Sequence, residues 1–95
     1  MKIEISAQAN ADLDRMVQEG LRQFGRTQTE GYLESVYAAF RMIADFPYAN
    51  REYAEFQPPM RVYSHRSHLI LYLVDEGQLT ILRIRHGRED WSPNS

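Results

Sequence analysis

The spacing of apolar residues changes once along this chain, and that change limits the folds it can adopt. The first half contains two runs in which apolar residues recur every three or four positions, as on one face of an α-helix. The two sets are Ala9, Leu13, Met16, Val17, Leu21 and Phe24, followed by Leu33, Val36, Tyr37, Phe40, Ile43 and Ala44. Only a few residues link them, and such a short link makes neighbouring helices antiparallel. The sequence therefore predicts a helical hairpin.

Residues with known preferences for helix ends mark the limits of this hairpin. Ser6 is a predicted N-cap of the first helix, and Gly25 is a natural stop after it. Thr27 and Glu30 have the spacing of a capping box, in which each side chain binds a free backbone N–H. Pro47 is predicted to end the second helix.

The second half has the composition and spacing of β-strands. Together with residues 2–5, the predicted strands are residues 61–64, 68–74 and 79–85. Residues 47–60, which contain three prolines, are predicted to form a loop, and Gly77 lies in the turn between the last two strands. The order β-α-α-β-β-β predicts one α+β domain over residues 1–95, with the helical hairpin packed on a small antiparallel sheet.

Composition excludes several classes of protein. The chain has no cysteine, so it has neither a disulfide framework nor a thiolate metal site. His65 and His68 lie three apart in a turn without an evident third ligand, so no metal site and no cofactor is expected. The start resembles no signal peptide, and the longest apolar run, residues 69–74, is too short to span a bilayer. A cytoplasmic protein without membrane contact is expected.

Charge is distributed unevenly along the chain. The net charge is −2, whereas proteins that bind phosphate backbones usually carry a strong basic excess. Residues 1–60 contain six Lys/Arg and nine Asp/Glu, whereas residues 61–95 contain five Arg, four acids and all three histidines. We therefore expect no stable complex with free nucleic acid, and we expect the basic chemistry near the C-terminal end.

The last predicted strand carries the candidate site residues. Strand side chains alternate, so one face holds Leu82 and Ile84 and the other holds Ile81, Arg83 and Arg85. The helices need an apolar face to cover, which predicts Arg83 and Arg85 on the open face, beside Arg61 and Tyr63 of a neighbouring strand. Such arginines could clamp phosphate or acidic side chains, or they could form an ordinary solvated face. The outer side of the helical hairpin, with Asp14, Glu19, Tyr32 and Glu34, is predicted to be mainly solvated.

His86 and the residues after it allow two interpretations each. His86 could transfer protons, because its ordinary pKa is near neutrality, or it could fix the tail by a hydrogen bond. Trp91 could cover an edge of the small core, or it could anchor a partner together with Arg88. Sheet edges and the groove beside the hairpin are the expected places for partner contact, and which residues contact a partner there is left open.

The ordered set of segments resembles the RelE/ParE toxin family. The matching segments are Ala11-Asp12-Leu13, Ile43-Ala44-Asp45-Phe46-Pro47, Arg61, Leu69-Ile70-Leu71-Tyr72, and Ile81 through His86-Gly87-Arg88-Glu89-Asp90-Trp91. The resemblance covers nearly the whole chain. It implies the toxin of a type II toxin–antitoxin system, neutralised by a small antitoxin.

The resemblance implies one of two activities. A ParE-like toxin inhibits DNA gyrase by contact, without bond chemistry, and is paired with a ParD-like antitoxin. A RelE-like toxin is a ribosome-dependent mRNA interferase, for which His86, Arg83 and Arg61 would be the catalytic residues. The acidic balance, the single lysine Lys2 and the absence of a Tyr after the last strand favour the ParE-like branch. The target-binding residues expected for it are Arg83, Arg85, His86, Arg88 and Trp91. A binding module that only sequesters an antitoxin is the third alternative.

Overall fold

The computed structural model describes residues 1–87, in which two helices pack on a five-stranded sheet. The elements are β1 (Lys2–Ile5), α1 (Ala7–Phe24), α2 (Arg26–Asp45), β2 (Glu52–Tyr53), β3 (Met60–His65), β4 (His68–Asp75) and β5 (Gln78–His86). This confirms the predicted α+β class and the order of the predicted elements. Neither α1 nor α2 has the length and apolar character that a membrane-spanning helix needs.

The sheet differs from the prediction in two respects. Its strand order is β1-β5-β4-β3-β2, and β1 pairs with β5 in parallel, so the sheet is mixed rather than wholly antiparallel. In sequence, the helical hairpin separates β1 from the other strands. In the sheet, β1 is nevertheless an edge strand next to the last strand, β5. The predicted loop over residues 47–60 contains the two-residue strand β2, which pairs with the start of β3. The β3–β4–β5 part is antiparallel, as expected.

The helix ends confirm one predicted cap and correct another. The Ala9 backbone N–H donates to Ser6 Oγ at 3.0 Å, and the Ser6 hydroxyl donates to the Leu82 carbonyl at 2.8 Å. Gly25 ends α1 with a positive φ of 81° and is also the N-cap of α2. The predicted Thr27–Glu30 capping box is wrong, because α2 begins before Thr27, and Glu30 instead accepts from the Arg26 guanidinium at 2.7 Å.

The two helices approach each other closely at Gly20 and Thr29. Thr29 is buried, and its hydroxyl donates to the Gly25 carbonyl at 2.7 Å. A Cβ atom placed on Gly20 would lie 2.8 Å from the Thr29 hydroxyl oxygen, which is closer than real contacts of this kind. Gly20 therefore permits the tight packing of α1 on α2.

The core lies between the helices and one face of the sheet. It comprises Ala9, Leu13, Val36, Ala39, Phe40, Ile43, Ile70, Tyr72, Leu79, Ile81 and Ile84. The two central residues of the β4–β5 turn, Glu76 and Gly77, both have positive φ, as two-residue hairpin turns often require. Farther along, the pairing shifts from Tyr72↔Ile81 to Leu71↔Arg83, which leaves Leu82 as the extra residue of a β-bulge.

Candidate functional site

The C-terminal half of β5 forms part of an open sheet edge. β1 pairs with β5 from Gln78 to Ile81, so among residues 1–87 the edge beyond Ile81 is flanked by helix α1 rather than by another strand. A groove runs between them and is lined by Asp12, Arg15, Glu19 and Arg22 of α1, by residues 83–86 of β5, and by His68. We call this surface the α1–β5 groove. It combines a strand edge that has no neighbouring strand among residues 1–87 with charged side chains.

Asp12 lies at the inner side of the α1–β5 groove, where it joins α1 to β5. Its side chain is 4% exposed, and it accepts hydrogen bonds from Arg83 at 2.8 and 3.1 Å and from the Ile84 backbone N–H at 2.9 Å. Arg15 also donates to it, at 2.5 Å. Burial acts to raise the pKa of Asp12, but these hydrogen bonds and the charges of Arg83 and Arg15 lower it below its ordinary value. Asp12 is thus a buried, charged carboxylate that orients Arg83.

The β-bulge changes the predicted faces of β5. Ile81, which alternation places on the open face, is fully buried in the core. Leu82, predicted to face the helices, is half-buried and lies outside the core cluster, while Ile84 is buried as predicted. Arg83, predicted to lie on the open face, extends instead toward α1 and binds Asp12. The extra residue of the bulge interrupts strict alternation and re-aims the side chains around it.

Among residues 1–87, the lining of the α1–β5 groove has an excess of positive charge, in a chain that is negative overall. Arg15, Arg22, Arg83 and Arg85 line it, against the two carboxylates Asp12 and Glu19. Both carboxylates already bind arginines of the groove, because Glu19 forms an ion pair with Arg22. The side chains of Arg15 and Arg22 are 69% and 73% exposed and can contact a bound partner. The charge balance suits a segment that carries carboxylates.

The three histidines lie near one another, and two of them, His68 and His86, line this groove. Antiparallel pairing sets His65 opposite His68 and His68 opposite His86, and the rings of His68 and His86 are 5.4 Å apart. Tyr32 of α2 lies between the rings of His65 and His68, at 5.8 and 5.4 Å, and its hydroxyl is 2.6 Å from His68 Nδ1. Within residues 1–87, no three potential ligands are arranged to hold a metal ion. We call Tyr32 and these histidines the Tyr–His cluster.

The remaining predicted site residues lie elsewhere. Arg61 pairs with Tyr72 at the far end of β3 from His65, which is about 13 Å away at roughly 3.3 Å per residue. Its guanidinium donates to the Asn50 carbonyl at 2.5 Å. The structure therefore brings His86 near Arg85 in the groove lining but separates both from Arg61. Arg88 and Trp91 lie outside the described residues.

Two residues of the site, Asp12 and Tyr32, are not among the predicted site residues. Asp12 occurs three positions after Ala9 and four before Met16, within the apolar stripe of α1, and a carboxylate there indicates a buried partner. Tyr32, predicted on a solvated face, is half-buried and hydrogen-bonded to His68. Tyr32 lies four residues before Val36, which belongs to the predicted apolar face, so the two side chains share one side of the helix. This spacing could have predicted that Tyr32 is partly buried.

Comparisons with known proteins identify the family and support the fold. Residues 3–91 match the family described as the ParE toxin of the type II toxin–antitoxin system parDE. Toxin ParE3 of Caulobacter vibrioides is 27% identical over 79 residues, covering 83% of this chain and 79% of the relative. A solved structure described as the chromosomal ParDE TA system from P. aeruginosa superposes with a TM-score of 0.78 at 16% identity, covering 90% of this chain and 95% of that one, and so shows the same fold. The chain therefore belongs to the ParE toxin family of type II toxin–antitoxin systems.

Proposed function

We propose that this toxin inhibits DNA gyrase by protein contact and is neutralised by a ParD-like antitoxin. The observation that carries the proposal is the match of residues 3–91 to the ParE family. The charge pattern supports it, since a net charge of −2 and a single lysine are unlike a protein that docks on ribosomal RNA. The arginine positions support it further, because Asp12 already binds Arg83, and Arg61 lies at the other end of the sheet from His86.

The α1–β5 groove is the surface that we propose for the antitoxin. On the edge of β5 beyond Ile81, the Leu82 carbonyl already accepts from Ser6 and the Ile84 N–H already donates to Asp12, so an extended segment would pair with the main-chain groups that follow the Ile84 N–H. Carboxylates on that segment would meet Arg15, Arg22 and Arg85. A segment that is disordered when free and folds on binding fits a small antitoxin.

Antitoxin binding is tested by co-expression with the neighbouring reading frame, purification, and measurement of Kd. We expect Arg85→Ala to weaken the complex about tenfold or more, since charge-assisted hydrogen bonds contribute about 1.5–3 kcal/mol each. The control is Arg41→Ala, which removes the same charge from an exposed position of α2. Equal affinity in both variants would place the antitoxin elsewhere, and no co-purifying partner at all would contradict the proposed pairing.

The cellular target is tested by expression from a repressible promoter, followed by parallel assays of gyrase supercoiling and ribosome-dependent RNA cleavage. We expect inhibition of supercoiling and no RNA cleavage. His86→Ala should then reduce growth arrest less than truncation after Gly87, which removes Arg88 and Trp91. Each variant is first shown to fold and to bind antitoxin. Loss of toxicity in His86→Ala with a fully toxic truncation would refute gyrase inhibition and favour the RNA-cleaving alternative.

We also propose that the toxin forms no stable complex with free DNA or RNA. The arginines of the groove are partly neutralised by Asp12 and Glu19, so few charges remain to displace counterions from a phosphate backbone. A gel-shift assay at physiological salt should show no specific complex. Sub-micromolar binding to RNA would contradict this expectation and would also support the RNA-cleaving alternative.

A further inference from the structure

The face of the sheet opposite the helices is also apolar. Ile70 and Tyr72 of β4 belong to the core, so alternation turns their neighbours along the strand to the other side. Pairing adds side chains of β3 and β2 to the same side, because residues opposite each other on paired strands share a face. We call this set the outer sheet face, and it comprises Tyr53, Met60, Val62, Leu69, Leu71 and Leu73.

Leu71 lies at the centre of the outer sheet face, paired with Val62 of β3 and Arg83 of β5. It is 4% exposed, although the core cluster of the described residues does not include it. The other residues of the face are half-buried, and Arg85, which pairs with Leu69, borders the face where β5 ends. A large patch of adjacent apolar side chains usually marks a contact surface. The outer sheet face therefore has the character of a surface that another segment covers.

The chain leaves β5 beside this face. The Gly87 N–H donates to the Ser67 carbonyl at 2.7 Å, and a Cβ atom on Gly87 would lie only 3.3 Å from that oxygen, so glycine permits the close approach. Eight residues, 88–95, follow and lie outside the described residues. Extended, they can span about 26 Å. The distance from β5 to β3 is about 10 Å, so this segment is long enough to cross the face.

The residues on the two sides of Gly87 are complementary in their spacing. A chain that turns back at Gly87 brings Glu89 near Arg85, because each lies two residues from the turn. It also brings Trp91 near Leu71, because Trp91 and the β5 partner of Leu71 each lie four residues from the turn. A carboxylate thus meets a guanidinium, and the only tryptophan of the chain meets the centre of the outer sheet face.

Attachment to β5 favours this segment over a separate molecule. A tethered segment is present at an effective concentration on the order of millimolar, whereas a second copy of the chain must associate from solution. The charges also fit, since the acids Glu89 and Asp90 outnumber Arg88 and follow directly after the arginines of β5. Trp91 is the one large apolar residue of the segment, and burial of such a ring removes about 150–250 Å² from water.

We infer that residues 88–95 fold back over the outer sheet face of the same molecule. Trp91 packs on Leu71 and Val62, and the Glu89 carboxylate binds the Arg85 guanidinium. A guanidinium has five N–H donors, so this ion pair leaves donors for the antitoxin segment proposed above. The inference concerns the free toxin and is independent of the antitoxin and of the cellular target.

Fluorescence of the wild-type protein tests this placement, because Trp91 is the only tryptophan. We expect emission at a shorter wavelength than in the urea-unfolded chain, with several-fold weaker quenching by acrylamide, since the indole packs against apolar side chains. Both properties should stay unchanged when the protein is diluted. Emission and quenching equal to those of the unfolded chain would overturn the inference. Protection that is lost on dilution would also overturn it and would assign the face to a second copy.

Two lysine substitutions on the same side of the sheet locate the contact. Val62→Lys places a charge beside Leu71, so the Trp91 emission should shift toward that of the unfolded chain. The control is Thr80→Lys, seven residues before Gly87 and beyond the reach of Trp91, which should keep the wild-type emission. No shift in Val62→Lys, or an equal shift in both variants, would overturn the inference. If Val62→Lys does not fold, nuclear Overhauser contacts in the wild type between the Trp91 indole and the methyl groups of Val62 and Leu71 decide, and their absence would overturn it.

Discussion

Replacement of Asp12 by Asn tests whether this carboxylate fixes α1 to β5. Asn has the same shape as Asp but no charge. In Asp12, both carboxylate oxygens accept hydrogen bonds, from Arg83 and from the Ile84 N–H, whereas Asn has one acceptor oxygen and an NH2 group that only donates. Breaking a buried ion pair typically costs about 3–5 kcal/mol. The Arg83 side chain is 31% exposed, so water compensates part of this loss. We expect a decrease in the free energy of unfolding of about 2–3 kcal/mol.

Urea unfolding at pH 7, monitored by circular dichroism, measures this decrease, and Tm should fall by roughly 10–20 °C for a domain of this size. The control is Asp14→Asn, which removes the same charge from an exposed position of α1 and should change stability by less than about 0.5 kcal/mol. A loss below about 0.5 kcal/mol in Asp12→Asn would refute the structural role assigned to the network.

The pH dependence of the same pair gives a second test. The pKa of Asp12 is lower in the folded state than its ordinary value, so its contribution is complete above about pH 5 and is lost as the pH falls through the folded-state pKa. The stability difference between wild type and Asp12→Asn should therefore shrink on acidification below about pH 4. A difference that stays constant to pH 2 would show that charge is not what Asp12 contributes.

Four further substitutions have expected effects that thermal or urea unfolding would measure. Gly20→Ala should destabilise by about 1–3 kcal/mol, because the new methyl group meets buried Thr29, whereas Gly31→Ala, which meets nothing within 4 Å, should stabilise by about 0.5–1 kcal/mol. Equal effects of the two would contradict close packing of the hairpin. Tyr72→Phe should cost about 1 kcal/mol, because the hydroxyl donates to a carbonyl of the loop after α2 at 2.9 Å. Ser6→Ala should cost about 1–2 kcal/mol through loss of the α1 cap, and no loss would contradict the cap.

The helices and main strands could be predicted because local pattern determines them. The apolar spacing gave both helices, and Gly25 and Ser6 lie at the helix ends where their backbone and side-chain preferences place them. The false capping box at Thr27 shows the limit of local rules. Gly25, with φ of 81°, turns the chain directly into α2, so the helix starts without a side-chain cap and Thr27 falls inside it.

The site was predicted less well because it depends on pairing between distant residues. The β-bulge at Leu82 follows from how β4 and β5 meet, and strict alternation could not reveal it. The same is true of the Asp12–Arg83 ion pair, whose partners are 71 positions apart. The histidines are an intermediate case, because a two-residue turn at Arg66 and Ser67 places His65 opposite His68, but Tyr32 comes from α2. Local sequence gives the elements, whereas the site arises from their register.

The parallel pairing of β1 with β5 has a consequence for how the protein is made. β1 and Ser6 contact residues of β5 that lie 76 positions later in the chain, and Asp12 accepts a hydrogen bond from the Ile84 N–H, which is also in β5. None of these contacts can form on the ribosome before β5 has been synthesised. Closing such long loops is also the slow part of folding. The α1–β5 groove therefore comes into existence only at the last stage of folding. If the antitoxin binds this groove, as we propose, it can bind only after β5 has been synthesised and has paired with β1.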